Sequence, residues 1–70
     1  MGKEYFTIQE LQSMKLYELP TRIYEEIIEE LERVIIGGRK FPPRFREIVD
    51  RALISDLDQY IDIYKFIKVI

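Results

Sequence analysis

The pattern that most constrains this fold lies in residues 20–37. Apolar side chains recur there at three- and four-residue steps, at Ile23, Ile27, Leu31, Val34 and Ile35. This spacing places them on one face of an α-helix, and the glutamates between them are typical of a solvated face. Pro20 suits the start of a helix and Gly37 suits the left-handed residue that follows one. We therefore predict a helix over residues 20–36 that packs by one face.

Two further helices are predicted on either side of this one. Thr7 and Glu10 have the spacing of a capping box, in which each side chain accepts a hydrogen bond from the other residue's backbone N–H. A helix over residues 8–18 follows from that start. Apolar spacing after Pro42 and Pro43 predicts another helix over residues 43–66. A second capping pattern at Ser55 leaves open a break there, which would give four helices instead of three.

The composition supports a single small helical domain spanning residues 1–70. The chain has neither cysteine nor histidine, so a disulfide and a thiolate metal site are excluded and the commonest metal ligand is missing. A chain of 70 residues without such links depends on well-packed helices, on association, or on both. We predict an all-α fold, a small antiparallel bundle of three or four helices, with no cofactor and no metal.

The last ten residues, IDIYKFIKVI, leave two interpretations open. Their β-branched and aromatic side chains are compatible with a strand, but a helix to about residue 66 is favoured because a single strand has no evident partner. As a helix the segment is apolar nearly all round and needs cover on more than one side. It is the candidate interface with another subunit or a second copy, through Ile63, Tyr64, Phe66, Ile67 and Ile70. The alternative is that the segment packs beneath the first helix.

Charge is distributed unevenly along the chain. Residues 33–51 contain six cations and two acids, whereas residues 1–32 contain three cations and eight acids, and the whole chain has a net charge of −2. A basic middle between acidic flanks is informative about partners and not about the fold. The sequence therefore directs attention to the basic loop at residues 39–46.

This loop is the candidate contact with nucleic acid, through Arg39, Lys40, Phe41, Arg44 and Arg46. Its cations offer donors to phosphates, and Phe41 offers a face on which an unpaired base stacks. In the alternative interpretation, Phe41 and Phe45 anchor the loop in the core while the cations meet the glutamates of the central helix. The acidity of the whole chain weighs against a dedicated nucleic-acid binder.

Enzymatic function is not expected. The paired glutamates of the central helix lie on its solvent side, where no shielded pocket would shift their pKa values. The serines have no histidine to activate them, and Gly37 and Gly38 lack the spacing of a phosphate-binding loop. We predict a non-catalytic protein.

Several features concern the origin and location of the chain. No apolar run approaches the ~20 residues that span a bilayer, and the N-terminal residues lack an apolar signal region. These features predict a cytoplasmic protein without a membrane partner. Twelve isoleucines, many Glu and Arg, and the absence of Asn and Trp are typical of thermophilic proteins, which favours a thermophilic archaeal origin.

The segments KLYELPTRIYEEIIEELERVI (residues 15–35) and FREIVDRALISDLDQYIDIYKFIKVI (residues 45–70) resemble the helical domain of GINS subunits, accessory factors of the replicative helicase in archaea and eukaryotes. Two patterns carry the resemblance: Leu19, Pro20, Ile23 and Tyr24, and later Leu57, Tyr60, Ile61, Tyr64 and Ile67. In that family the first pattern opens a helix, and the second lies on a helix of the subunit interface. A short basic loop stands here where the family has an acidic segment. The resemblance implies an assembly subunit and assigns no residue a role.

Three functional hypotheses result. The first is an accessory subunit of an archaeal DNA replication assembly, attached to a helicase or a polymerase, that associates through its apolar C-terminal residues. The second is a small nucleic-acid-binding protein that uses the basic loop. The third is a virus- or plasmid-encoded protein of unrelated role.

Overall fold

Helices dominate the fold, as the apolar spacing predicts. The computed structural model describes residues 5–70. In chain order the elements are β1 (Tyr5–Phe6), α1 (Ile8–Ser13), a 3₁₀ turn (Leu16–Glu18), α2 (Thr21–Ile36), α3 (Pro43–Asp50), α4 (Ile54–Leu57), a second 3₁₀ turn (Ile63–Phe66) and β2 (Lys68–Val69). The mostly helical architecture is confirmed. The small strand pair is an addition that the prediction of a purely helical bundle lacked.

Helix α2 is the central element and matches its predicted limits closely. Ile23, Ile27 and Leu31 of the predicted stripe are buried, together with Ile28 and Glu32. Ile35 is half-buried, and Val34 is exposed. Gly37 ends the helix at a φ of 68°, in the left-handed region that favours glycine. The backbone N–H groups of Gly37 and Gly38 both donate to the carbonyl of Glu32. The chain therefore turns sharply at the point where the basic loop begins.

Helix α1 begins as predicted and ends earlier. The N–H of Glu10 donates to the Thr7 hydroxyl and the N–H of Thr7 donates to the Glu10 carboxylate, each at 3.1 Å, which confirms the capping box. The helix stops at Ser13 instead of continuing to residue 18. Met14 is extended, and its carbonyl accepts a hydrogen bond from the N–H of Ile54 at 3.0 Å. A contact distant in sequence thus ends this helix.

The same contact divides the predicted helix over residues 43–66. Helix α3 ends at Asp50, and Leu53 adopts an extended conformation that pairs antiparallel with Lys15 in an isolated bridge. Helix α4 starts directly after this bridge, so Ser55 lies inside α4 and does not cap it. A break near Ser55 is one of the two alternatives that the sequence leaves open, but its cause is the backbone pairing of residues 14–16 with residues 52–54 and not a local capping motif.

The C-terminal residues also differ from the favoured helical interpretation. After the second 3₁₀ turn, β2 pairs in parallel with β1, so that Tyr5 lies opposite Lys68 and Phe6 opposite Val69. The N–H of Ile70 donates to the carbonyl of Phe6 at 2.9 Å. The strand does have a partner, but this partner lies at the other end of the chain.

One hydrophobic core joins all these elements. Its fully buried side chains come from α1, both helical turns, α2 and α4, and are Leu11, Leu16, Ile27, Leu31, Ile54 and Ile63. At the surface, Glu30 of α2 pairs with Arg33 and with Lys65, whose Nζ lies 3.7 Å from the Glu30 Oε2. No helix among residues 5–70 is long and apolar enough to cross a membrane.

Candidate interaction surface

An apolar groove lies between the end of α2, helix α3 and residues 52–60. Its volume is about 280 Å3, and its apolar lining comprises Ile35, Phe45, Ile48, Val49, Ala52, Leu57 and Tyr60. Two of these side chains are largely in water, since Ile48 is 66% exposed and Tyr60 is 51% exposed. An apolar groove with exposed side chains is a candidate site for interaction with a partner. We call this feature the apolar groove.

Helix α3 forms one wall of the groove. Its apolar side chains cover a wider arc of the helix than the core buries. Val49 points into the core and is 4% exposed, whereas the adjacent Ile48 lies outside it. Phe45 is half-buried and rests against Phe41, with 4.8 Å between the ring centroids and a tilted interplanar angle of 60°. One side of α3 therefore packs on α2, and the neighbouring side remains available.

A polar network fixes α3 against α2. The Tyr24 hydroxyl donates to the Asp50 carboxylate and accepts a hydrogen bond from Arg46 Nε at 2.8 Å. Arg46 Nε also lies 3.4 Å from Asp50 Oδ1. Burial raises the pKa of the Tyr24 hydroxyl, and its hydrogen bond to Asp50 raises this pKa further. The network holds one wall of the groove in place before any partner binds.

The raised pKa of Tyr24 predicts a loss of stability at alkaline pH. Because the folded protein holds the phenolic proton more tightly than the unfolded chain does, this contribution is fully present below the ordinary tyrosine pKa of about 10. It is lost as the pH rises through the raised pKa of the folded state. Urea unfolding of the Tyr24→Phe variant should show a free energy of unfolding lower by about 1 kcal/mol at neutral pH. The variant should also lose less stability between neutral and alkaline pH than the wild type.

The matched control for this measurement is Tyr17→Phe, because Tyr17 is 57% exposed. This control should reproduce the wild-type dependence on pH. An alkaline decline of equal size in the wild type and in Tyr24→Phe would show that the network does not carry the effect.

Glu32 anchors the basic loop. This carboxylate is 5% exposed, and its Oε2 accepts a hydrogen bond from the backbone N–H of Phe41 at 2.8 Å. The Phe41 side chain is 7% exposed and belongs to the core. Phe41 is therefore an anchor of the loop, as the alternative interpretation of the sequence held, and it is not placed for stacking on a base.

The structure separates the remaining candidate residues of the loop. Arg39, Lys40 and Arg44 are exposed, and none of them forms an ion pair within residues 5–70. Arg46 is half-buried and directed towards Tyr24. Lys40 borders the glutamate-rich face of α2, beside Glu29, without an ion pair there. Three of the four candidate cations thus make no ion pair with the glutamates of α2 within residues 5–70.

The candidate interface at the C-terminus does not form one face. Ile63 and Ile67 lie in the core, with exposures of 0% and 5%, and Tyr64 and Phe66 are half-buried against it. Ile70 alone among the five is largely exposed, at 76%. Among the exposed apolar side chains of residues 5–70, Ile48 of α3 and Tyr60 are the two that line the apolar groove. The signal in the sequence was the apolar pair at residues 48 and 49, which widens the stripe of α3 beyond one face.

Among the described residues, no group of three or more His, Cys, Asp or Glu side chains is arranged to hold a metal ion. The groove is instead suited to apolar contact, and Asp56 is the charged side chain that lines it. Comparison of the chain with protein-family models, with curated proteins and with solved structures finds no match.

Proposed function

We propose that this chain is a non-catalytic interaction subunit that binds another protein through the apolar groove. The observation that carries the proposal is the exposure of Ile48 and Tyr60 within one groove. Removing apolar surface from water stabilises a complex by roughly 25 cal/mol per Å2 before the costs of association are subtracted. Because the Tyr24 network already holds α3 in place, little ordering cost is added when a partner docks.

Affinity capture with matched variants tests this proposal. A tagged chain, its Ile48→Glu variant and a Tyr17→Glu control are each exposed to a lysate of the source organism. Both substitutions place a charge on an exposed side chain, but only Ile48 lines the groove. The wild type and the control should retain the same proteins, and the Ile48→Glu variant should lose them. Equal retention by all three chains would contradict docking through the groove.

We extend this proposal to an archaeal replication assembly in which this chain is attached to a helicase or a polymerase. The support for this step is the resemblance of residues 15–35 and 45–70 to the helical domain of GINS subunits. Identification of the proteins that the Ile48→Glu variant loses tests it. Replicative helicase or polymerase subunits are expected among them, and proteins of unrelated processes would contradict the extension.

A second candidate function is contact with the phosphates of nucleic acid. It is favoured by one observation, the exposure of Arg39, Lys40 and Arg44 without ion pairs within residues 5–70. Neutralising three phosphates predicts a salt slope of about −3 for duplex DNA. The test is binding of labelled single- and double-stranded DNA over a range of salt concentrations, with the triple alanine variant of these residues. An unchanged affinity and slope in that variant would contradict the hypothesis, and Arg22→Ala is the control.

A further inference from the structure

We infer that the occupant of the apolar groove is a second copy of this chain, in a twofold dimer. This inference rests on the proposed function of the groove as a docking surface and names its partner. The carrying observation is that charges of opposite sign stand beside the groove. Asp56 of α4 lines it, and Arg44 and Arg51 flank Ile48, which lines it from α3. We call Arg44, Ile48 and Arg51 the α3 edge and Asp56 the acidic edge.

The α3 edge is a line of three side chains. Arg44, Ile48 and Arg51 follow one another at steps of four and three residues, so they lie along the same side of the helix. Both arginines are exposed, and neither makes an ion pair within the part of the chain that the structure describes. Glu47 is spaced to approach both of them but does not pair with either. The exposed Ile48 is thus flanked by two cations that have no partner in their own chain.

The acidic edge belongs to helix α4. Asp56 is exposed and lines the groove, and its carboxylate makes no hydrogen bond or ion pair with residues 5–70. Its backbone carbonyl accepts a hydrogen bond from Gln59 Nε2 at 2.9 Å, which orders the turn between them. Arg51 and Asp56 both lie close to the connection between α3 and α4, and hence near the same end of the groove.

A twofold axis that runs along the groove brings these edges together. Such an axis turns the second copy over, so that the α3 edge of each copy lies on the acidic edge of the other. An isologous contact repeats every pair twice. Arg51 of one copy then faces Asp56 of the other in two places, and Ile48 and Tyr60 of both copies are covered together.

The opposite charges of the α3 edge and the acidic edge favour a second copy over a helix of another protein as the occupant of the groove. An acidic helix laid in the groove would be attracted by Arg51 and repelled by Asp56, and a basic helix would meet the reverse arrangement. A second copy complements both edges with the same surface. Association also adds buried apolar area to a domain near the lower size limit for a self-sufficient core.

Sedimentation equilibrium with charge-reversed variants tests the inference. The wild type should be a dimer. Arg51→Asp and Asp56→Arg should each weaken the dimer by about tenfold or more in dissociation constant, because each places like charges opposite one another twice. An equimolar mixture of the two variants should form a mixed dimer of near wild-type affinity, since every facing pair is again of opposite sign. Tyr17→Glu, outside the groove, is the control and should remain dimeric.

The outcomes separate this inference from the proposed function. A wild type that stays monomeric from about 1 μM to about 1 mM overturns the second-copy inference, while capture with Ile48→Glu still decides whether the groove binds a different protein. A dimer that both charge reversals leave intact also overturns it. Two weakened variants that do not recover on mixing would contradict the twofold arrangement. All substituted side chains are exposed, and circular dichroism of each variant confirms that it has folded.

Discussion

Replacing Ile63 with alanine is expected to lower the free energy of unfolding by about 3 kcal/mol. Ile63 is 0% exposed and lies in the second 3₁₀ turn, against the core. The substitution removes three buried carbon atoms and leaves a cavity that the surrounding side chains fill only in part. A domain of this length has a total stability of roughly 4–10 kcal/mol, so much of that stability would be lost.

Ile70→Ala is the matched control, because the same substitution is made at a side chain that is 76% exposed. The backbone N–H of Ile70, which donates to Phe6, is retained in this variant. Urea unfolding followed by circular dichroism should show almost no change for the control and a much lower midpoint for Ile63→Ala. Similar midpoints for the two variants would mean that the C-terminal turn is not part of the core.

Replacing Phe41 with alanine is expected to have an effect of similar size, about 3 kcal/mol. Phe41 is the core anchor of the basic loop, and its ring packs on Phe45 at the edge of the groove. Loss of the ring removes the core contact of the loop, while the hydrogen bond from the Phe41 backbone N–H to Glu32 remains. We therefore expect faster amide hydrogen exchange across residues 38–45 as well as lower stability.

Arg39→Ala, two residues earlier in the same loop, is the control because its side chain is exposed. It should leave both the unfolding midpoint and the exchange rates close to those of the wild type. If Phe41→Ala were as stable as this control, Phe41 would not be the anchor, and its ring would again be a candidate for contact with a base.

The elements that depend on neighbouring residues could be predicted from the sequence. Helix α2 follows from the spacing of its isoleucines and from Gly37, and the start of α1 follows from Thr7 and Glu10. In each case the stabilising groups lie within a few residues of one another. Hydrophobic periodicity and capping patterns report on such local contacts.

The elements that depend on distant residues could not be predicted in this way. The break after α3 comes from the bridge between Lys15 and Leu53, and β2 exists because β1 at the other end of the chain pairs with it. Both contacts join backbone groups, which every residue carries, so no side-chain pattern identifies them in advance. The apolar tail was accordingly assigned to an interface, although Ile63 and Ile67 complete the core.

The candidate site also combines a feature set by neighbouring residues with one set by distant residues. The exposed cations of the loop were visible as a local concentration of charge, and three of them do remain without ion pairs within residues 5–70. The apolar groove needs the packing of α3 against α2, which leaves Ile48 on the outside and Val49 on the inside. Periodicity marks both residues as apolar but does not show which of them the fold covers.

If a second copy covers the apolar groove, a spin label placed beside the groove of one copy lies close to the other copy. Because the chain has no cysteine, a Ser55→Cys variant carries a single spin label on an exposed residue of α4 that does not line the groove. A matched label at Arg22→Cys lies near the other end of α2, about 20 Å from Ile35 along the helix axis.

The decisive measurement is the broadening of amide signals in an isotope-labelled copy that carries no spin label, mixed with the spin-labelled copy. If the second copy covers the groove, we expect the Ser55→Cys label to broaden the amide signals of residues 44–52 and 56–60. The Arg22→Cys label should broaden these signals far less. No broadening between copies, or broadening centred on β1 and β2, would contradict the second-copy inference.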